Sequence, residues 1–277
     1  MITALDLDSY LEVAVTAARA ARVEILAALE RPRQAWYKGF RDIVTDADLK
    51  AERAIVETIR ARFPDHSFHT EESSSPVPAA LVQARGLTRA HDQQVEFLWF
   101  VDPLDGTTNF AHGYPLFCTS LALRHGDETL VGVVYDPVQE RLFTARSGEG
   151  AWLNGRRLQV SEHDRFGDAL VGLDWARDPA VRERSVACVT ALAPRVATLR
   201  ASGSAVLALC SVAAGWLEGY FNLALYDWDV AAAELFIREA GGQVTDLQGE
   251  PWRPGMRGCL ASNSHLHEEF LAILREV

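Results

Sequence analysis

Trp99-Phe100-Val101-Asp102-Pro103-Leu104-Asp105-Gly106-Thr107-Thr108-Asn109-Phe110 is the stretch on which the reading of this chain turns. It opens as an apolar, aromatic run that predicts the end of a buried strand. Two carboxylates follow, Asp102 and Asp105. Pro103 between them removes a backbone donor and fixes φ, so the strand must stop there. Gly106 permits a tight turn, and Thr107, Thr108 and Asn109 are of the type that opens a helix. Carboxylates at a strand end suit a hard cation such as Mg²⁺, which takes oxygen ligands. Backbone N–H groups at a helix start suit a phosphate. A lone D-x-x-D would read instead as a capped turn with local hydrogen bonds only. Further carboxylates along the chain support a cation-and-phosphate site.

Upstream, Asp8 or Ser9 caps an expected helix to about Glu30, with Leu11, Val15, Ala18, Ile25 and Leu29 on its apolar stripe and Pro32 beyond it. Asp46 and Asp48 stand at the start of a second helix that places Ile55 and Ile59 inside and stops before Pro64. On the residues alone they read as acids at a positive helix end, worth roughly 1 kcal/mol. Phe68 to Ser73 predicts a short strand running into a loop, with Glu71 and Glu72 as a solvated acidic pair. Ser73 to Glu96 has the look of an insertion, entered through Ser-Ser-Ser-Pro-Val-Pro, with a short helix around Ala79–Ala84.

Downstream, Phe117 to Leu123 and Thr129 to Val134 alternate as strands about a turn at His125 to Glu128. Arg141 to Ala145 and Ala151 to Leu153 continue the meander, and Asn154-Gly155 is a second hairpin signal. From Leu170 the pattern alternates. A strand at Leu170 to Leu173 precedes a helix over Ala180 to Leu192, then a strand from Val196 and an apolar helix over Ser204 to Ala214. The expectation is one unit, 1–277, with an α+β half over 1–165 and an α/β half over 166–277. Asp229 opens another helix, ended by Gly241. His265 and His267 read as solvent-exposed capping residues of a last helix to about Arg275. Trp152, Trp175 and Trp216 read as core or interface.

Composition narrows the class. The chain has 277 residues, 48% hydrophobic and 23% charged, with a formal net charge of −11. That supports a substantial core and disfavours nucleic acid, which is held mainly by Lys and Arg. An acidic protein handles a phosphate ester only if bound cations invert the local field. No apolar run approaches membrane-spanning length, and Met1 to Asp8 has no basic region of the kind that marks a secretory leader. Cys118, Cys188, Cys210 and Cys259 are scattered without a C-x-x-C. Buried free thiols in a reducing cytoplasm are expected.

Asp102 to Phe110 resembles the D-P-[IL]-D-G-T-x-N-F signature of the inositol monophosphatase family, Mg²⁺-dependent, lithium-sensitive phosphomonoesterases with fructose-1,6-bisphosphatase as a distant relative. Lys38 through Asp48 resembles that family's K-G-x-x-D-[LI]-V-T-x-x-D, and Thr70-Glu71-Glu72-Ser73 its G-E-E-S, with threonine in place of glycine. Arg200 to Ala205 resembles R-x-x-G-[ST]-A, Trp228 to Ala231 resembles W-D-x-A, and Glu239 to Gly242 resembles E-A-G-G. The resemblance implies a layered αβαβα sandwich, an α+β fold, and a homodimer.

It also implies roles. Glu71, Asp102 and the carbonyl of Leu104 hold one Mg²⁺; Asp102, Asp105 and Asp229 hold a second; a third shares Glu71. Thr107, supported by Asp48, and Glu71 are the catalytic set. Lys38 and Glu72 lie near the site. Asp105, Gly106, Thr107, Gly203, Ser204 and Ala205 line the substrate. Asn222 stands where many members carry a glutamate. An amide hydrogen-bonds but cannot balance a cation, which leaves substrate choice open. Asp46 falls at a variable motif position and stays a cap. The expected partner is a small phosphorylated metabolite, inositol 1-phosphate-like. Fructose 1,6-bisphosphate, histidinol phosphate and 3′-phosphoadenosine 5′-phosphate are the other substrates of the superfamily, and an RNA-transcription accessory role is the reading from another class.

Overall fold

The computed structural model describes residues 4–32, 34–74 and 95–277. In chain order the elements are α1 (Ala4–Leu29), β1 (Ala35–Gly39), β2 (Asp42–Thr45), α2 (Asp46–Arg62), β3 (Ser67–Thr70), α3 (Glu71–Ser74), β4 (Phe97–Asp105) and α4 (Thr107–His112). The meander follows as β5 (Cys118–His125), β6 (Glu128–Asp136), β7 (Arg141–Arg146), β8 (Gly150–Leu153) and β9 (Arg156–Arg157). The rest of the chain forms β10 (Leu170–Leu173), α5 (Pro179–Leu192), β11 (Thr198–Ala201), α6 (Ala205–Ala213), β12 (Gly219–Asn222), α7 (Asp227–Glu239), β13 (Gln243–Thr245), β14 (Cys259–Ser262) and α8 (His267–Arg275).

Among the described residues the larger sheet runs β3-β4-β5-β6-β7-β8-β9, antiparallel throughout except at β3–β4. The smaller runs β11-β10-β12-β14-β13, parallel at β10–β11 and β10–β12. Strands joined by tight turns pair antiparallel, whereas β10, β11 and β12 are joined through helices and lie parallel.

Strand alternation sorts side chains into separate cores. Trp99, Val101, Leu121 and Leu123 pack with α1 and α2 on one face of the larger sheet. Phe100 and Ala122 point the other way, into α6 and α7. The same two helices meet Tyr220 and Ala261 of the smaller sheet, whose far face packs Val171, Phe221 and Leu260 against Cys188 of α5 and Phe270 of α8. The order is helix, sheet, helix, sheet, helix, the expected sandwich. Because α6 lies between two sheets it is apolar almost all round. Each buried Leu or Val there contributes roughly 1.5–3 kcal/mol, so packing rather than propensity holds it.

Several local expectations change. α1 begins at Ala4, and its most buried stripe is Tyr10, Ala14, Ala17, Ala18, Ala21, Ile25 and Ala28, while Leu11, Val15 and Leu29 are partly buried beside it. Small side chains let α2 approach closely. Glu71 opens a short helix rather than a loop. Thr70, in the glycine's place, is buried, and its hydroxyl accepts from the Ser73 N–H at 3.3 Å. The hydroxyl thus caps α3, a role a glycine could not fill. The cap of α2 is Thr45, which accepts from Ala47 N; Asp46 instead pairs with Lys50 and Arg31. His267 is buried, not exposed, with Thr245 Oγ1 and Ser262 Oγ at 3.0 and 2.7 Å from its two ring nitrogens. Trp175 and Trp216, 39% and 45% exposed, are not core residues, which leaves the interface half of that reading. The helix expected around Ala79–Ala84 lies outside the described residues. All four cysteines are buried and unpaired.

Candidate active site

On a regular strand, residues three apart face opposite sides. Here the β4–β5 register shifts between Asp102 and Asp105, at the residue whose ring removes the ladder donor. The irregularity returns both carboxylates to one side. Asp102 Oδ1 accepts from Leu104 N at 3.0 Å, and Asp105 Oδ2 accepts from the Ser204 hydroxyl and from Val206 N at 3.1 Å. Asp229 arrives from the first turn of α7, its Oδ2 accepting from Tyr226 N at 2.7 Å. One carboxylate oxygen from each of Asp102, Asp105 and Asp229 lies within 4.8 Å of the other two.

This convergence is costly without a counter-charge. Burial, opposed by the Ser204 hydroxyl and the Val206 N–H, pushes Asp105 up to about 6. Burial and the Asp105 carboxylate push Asp229 up to about 8. Burial, then Glu71, Asp105 and Asp229, hold Asp102 well above the usual carboxylate range. An all-oxygen set of mutually repelling carboxylates fits a hard divalent cation, whose charge reverses that local logic.

Glu71 lines the same cavity but lies outside the close triad. Its Oε1 accepts from Lys38 Nζ at 3.0 Å, and Lys38 also pairs with Glu72 at 2.8 Å and Asp42 at 3.8 Å. The Lys38 side chain is 1% exposed. Burial pulls its pKa down, but Glu71 and Glu72 more than offset that, so it stays charged. Glu72 is buried, and its N–H donates to Glu52 at 3.0 Å.

Thr107 is set by the turn before it. Gly106 has φ +85°, and a Cβ there would lie 2.8 Å from the Leu116 carbonyl, so only glycine fits. The Thr107 hydroxyl is 3.0 Å from both Asp48 Oδ1 and the Leu104 carbonyl. Asp48 is fully buried. Its Oδ2 accepts from Thr45 N at 2.8 Å and from the Thr45 hydroxyl. Burial pushes its carboxyl up to about 7, against the Thr45 hydrogen bonds and with help from Glu71.

Glu71, Asp102, Asp105, Thr107 and Asp229 open on a cavity of about 860 Å³ whose lining also includes Gly203, Ala205 and Asn222. Ser204 is fully buried, with its hydroxyl given to Asp105. It therefore positions a carboxylate instead of facing the cavity. Asn109 Nδ2 donates to Leu116 O and Ser202 O at 2.7 and 2.9 Å, tying α4 to the β11–α6 turn. Asn222 Oδ1 accepts from Ala224 N at 2.9 Å, and its Nδ2 donates to Tyr220 Oη at 3.3 Å.

The sequence reading assigned no role to Asp42, Asp174, Arg177, Tyr226 or Arg257. Arg177 reaches Asp42 at 3.0 Å and Glu71 at 3.9 Å. Asp174 Oδ1 accepts from Gly203 N at 2.7 Å and its Oδ2 from the Tyr220 hydroxyl at 3.3 Å; burial lifts it to about 7. Asp42 does fall within the first motif. Asp174, Arg177 and Arg257 carry no local signal, because their partners are remote in sequence.

Residues 6–277 match the family model described as the inositol monophosphatase family. Inositol monophosphatase 2 of Solanum lycopersicum is 36% identical over 273 residues, 98% of this chain and 99% of that protein. Nus factor SuhB of Pasteurella multocida is 40% identical over 246 residues, 88% of this chain and 87% of that protein. The crystal structure of the extragenic suppressor protein suhB from Bartonella henselae superposes with a TM-score of 0.87 at 32% identity, covering 97% of this chain and 99% of that one. Matched along nearly its full length, this chain belongs to the inositol monophosphatase family of phosphomonoesterases.

Proposed function

We propose that the chain hydrolyses a small polyol phosphate, of the inositol 1-phosphate kind, with Mg²⁺. The observation that carries this is the meeting of Asp102, Asp105 and Asp229 beside a threonine hydroxyl backed by a buried acid. Glu71, Asp102 and the Leu104 carbonyl would hold one cation, Asp102, Asp105 and Asp229 a second, and Glu71 a share of a third. When bound, the cations supply charge neutralisation for the phosphate and acidify water.

The chain's own residues do the rest. A water at Thr107 passes its proton to Oγ1, and the hydroxyl proton moves to Asp48 Oδ1, 3.0 Å away. An acid lifted to about 7 is matched to proton transfer near neutrality. Oxygen attacks phosphorus, the ester P–O bond breaks, the leaving oxygen takes a proton from a solvent water, and Asp48 returns its proton to solvent. Gly106, which has no capping side chain, leaves backbone N–H groups at the start of α4 to meet the phosphate. Lys38 holds Glu71 in place through an ion pair at 3.0 Å. Uncatalysed phosphate monoester hydrolysis demands enhancements of up to about 10²¹, more than acid–base groups alone provide.

Phosphate release from inositol 1-phosphate, fructose 1,6-bisphosphate, histidinol phosphate and 3′-phosphoadenosine 5′-phosphate, with Mg²⁺ and with or without Li⁺, tests this. Turnover of a polyol ester, lost with chelator and slowed by Li⁺, is expected. Metal-independent turnover contradicts it. A second reading follows from relatives named Nus factor SuhB: a transcription accessory role. Salt-sensitive retention of RNA without Mg²⁺-dependent phosphate release would favour that. A homodimer, read by light scattering, and a reducing compartment, in keeping with four buried unpaired thiols, complete the proposal. Among the described residues no helix is long and apolar enough to cross a membrane.

A further inference from the structure

One further carboxylate lines the cavity that holds the triad and has no part in the hydrolytic scheme. Asp174 follows β10, one residue past the Leu173–Phe221 pair, so its neighbour on β12 is Asn222. Its Oδ1 accepts from Gly203 N at 2.7 Å and its Oδ2 from the Tyr220 hydroxyl at 3.3 Å. The direction of the second bond is fixed from behind. Asn222 Oδ1 accepts from Ala224 N at 2.9 Å, so Nδ2 is the atom that donates to Tyr220 Oη. The Tyr220 proton is thereby left for Asp174. Tyr220 is fully buried, so water does not compete for that proton. The carboxylate is aimed before any ligand arrives, which lowers the cost of ordering it on binding.

Asp174 is half-buried, and among the described residues no basic side chain forms an ion pair with it. Arg177, three residues on, goes to Asp42 and Glu71 instead. Burial, opposed by the Gly203 N–H, lifts the Asp174 carboxyl to about 7. A carboxylate has about four lone-pair sites, and Gly203 and Tyr220 occupy two. What is left faces a cavity and takes only donors. It repels a phosphate, so the ester's anion is not its ligand. Its place agrees with that. Gly203 donates to Asp174, and Ser204, the next residue, gives its hydroxyl to Asp105. Asp174 therefore stands beside the triad, where the alcohol half of a bound ester would lie.

We propose that Asp174 is a specificity-determining residue, which accepts hydrogen bonds from hydroxyls of the ester's alcohol half while the phosphate lies at Asp102, Asp105 and Asp229. The proposal rests on the phosphatase reading above and adds to it the side chain that selects a hydroxyl-bearing alcohol. Asp174 acts on binding and takes no part in the proton transfers. Tyr220 and Asn222 are positioning residues that act through it.

The test compares kcat/KM for inositol 1-phosphate and for cyclohexyl phosphate, the same ring without its free hydroxyls, in Mg²⁺. The wild type is expected to favour inositol 1-phosphate at least about ten-fold, the factor one charge-assisted hydrogen bond supplies. In Asp174→Asn, with folding checked by its melting temperature, that ratio should fall by about ten-fold. Tyr220→Phe keeps the acid but removes one bond that aims it, and should lower the ratio by less. A wild-type ratio near one, or a ratio unchanged in both variants, overturns the proposal. So do equal losses on both esters, which mark a structural role alone. A wild type that favours 2-aminoethyl phosphate over 2-hydroxyethyl phosphate, with the preference lost in Asp174→Asn, gives the site to an ammonium and overturns the hydroxyl assignment. Each of these outcomes leaves the phosphatase reading standing. No Mg²⁺-dependent phosphate release from any of the four esters removes both.

Discussion

Asp229 carries a charge that the fold alone balances poorly, and that makes it the most informative single side chain. Its carboxyl is lifted to about 8 by burial and by Asp105, against an ordinary value of about 3.9. A carboxyl raised on folding binds its proton more tightly in the native state. Its contribution to stability is therefore complete below about pH 4 and is lost as pH rises toward 8. Asn at this position keeps the oxygen that accepts from Tyr226 N but never ionises. In chelator at pH 8, Asp229→Asn should melt roughly 2 °C or more above wild type, the shift expected for about 1 kcal/mol in a chain this long. The gain should vanish near pH 4, and the variant should lose most of the wild type's stabilisation by Mg²⁺. A variant less stable than wild type at pH 8 without metal would show that the three carboxylates do not repel as described. Residue identities were readable from sequence where a motif fixed them, as for Asp48 and Asp102. Asp174 and Arg177 were not, because what gives them a role is a partner brought near only by folding: Gly203 N for one, Asp42 for the other.

At the scale of elements, the turn between β4 and α4 sets the whole site. Gly106 is left-handed at φ +85°, with the Leu116 carbonyl 2.8 Å from where a Cβ would be. An L side chain there costs about 1–2 kcal/mol in backbone conformation alone, before the clash. Gly106→Ala should lower the urea unfolding free energy by about 2 kcal/mol or more, and a loss below about 0.5 kcal/mol would contradict the turn geometry. Its glycine was legible because a left-handed turn acts locally, but the strand does not stop at Pro103, since β4 runs on to Asp105, and Gly106 opens α4 without a side-chain cap. The β1–β2 hairpin was not legible. Its first strand alternates only between exposed and half-buried, so no apolar periodicity marks it. The α3 turn was missed for a related reason: Thr70 caps it and Glu52 receives its Glu72 N–H from another helix. His267 looked exposed because Thr245, one of its two hydroxyl partners, sits on β13, well before it in the chain.

At the scale of the molecule, α6 and α7 are shared between the two sheets. Residues 1–165 contain the larger sheet but neither helix that covers its second face. Expressed alone, that segment should fail to unfold cooperatively and should bind a hydrophobic dye, since Phe100, Ala122, Val134 and Phe143 would lie bare. A sharp two-state transition for the fragment would contradict the shared core. The five-layer order was legible only through resemblance; periodicity supplied two halves of different pattern but not how they stack. That stacking is what brings Asp229 of α7 to the end of β4, so fold and site stand together. The measurement that tests their union most directly is phosphate release from inositol 1-phosphate in saturating Mg²⁺ by Asp102→Asn, with its folding verified by melting. The account predicts a folded protein whose release falls to the background of buffer. Release near the wild-type rate from the folded variant would contradict it.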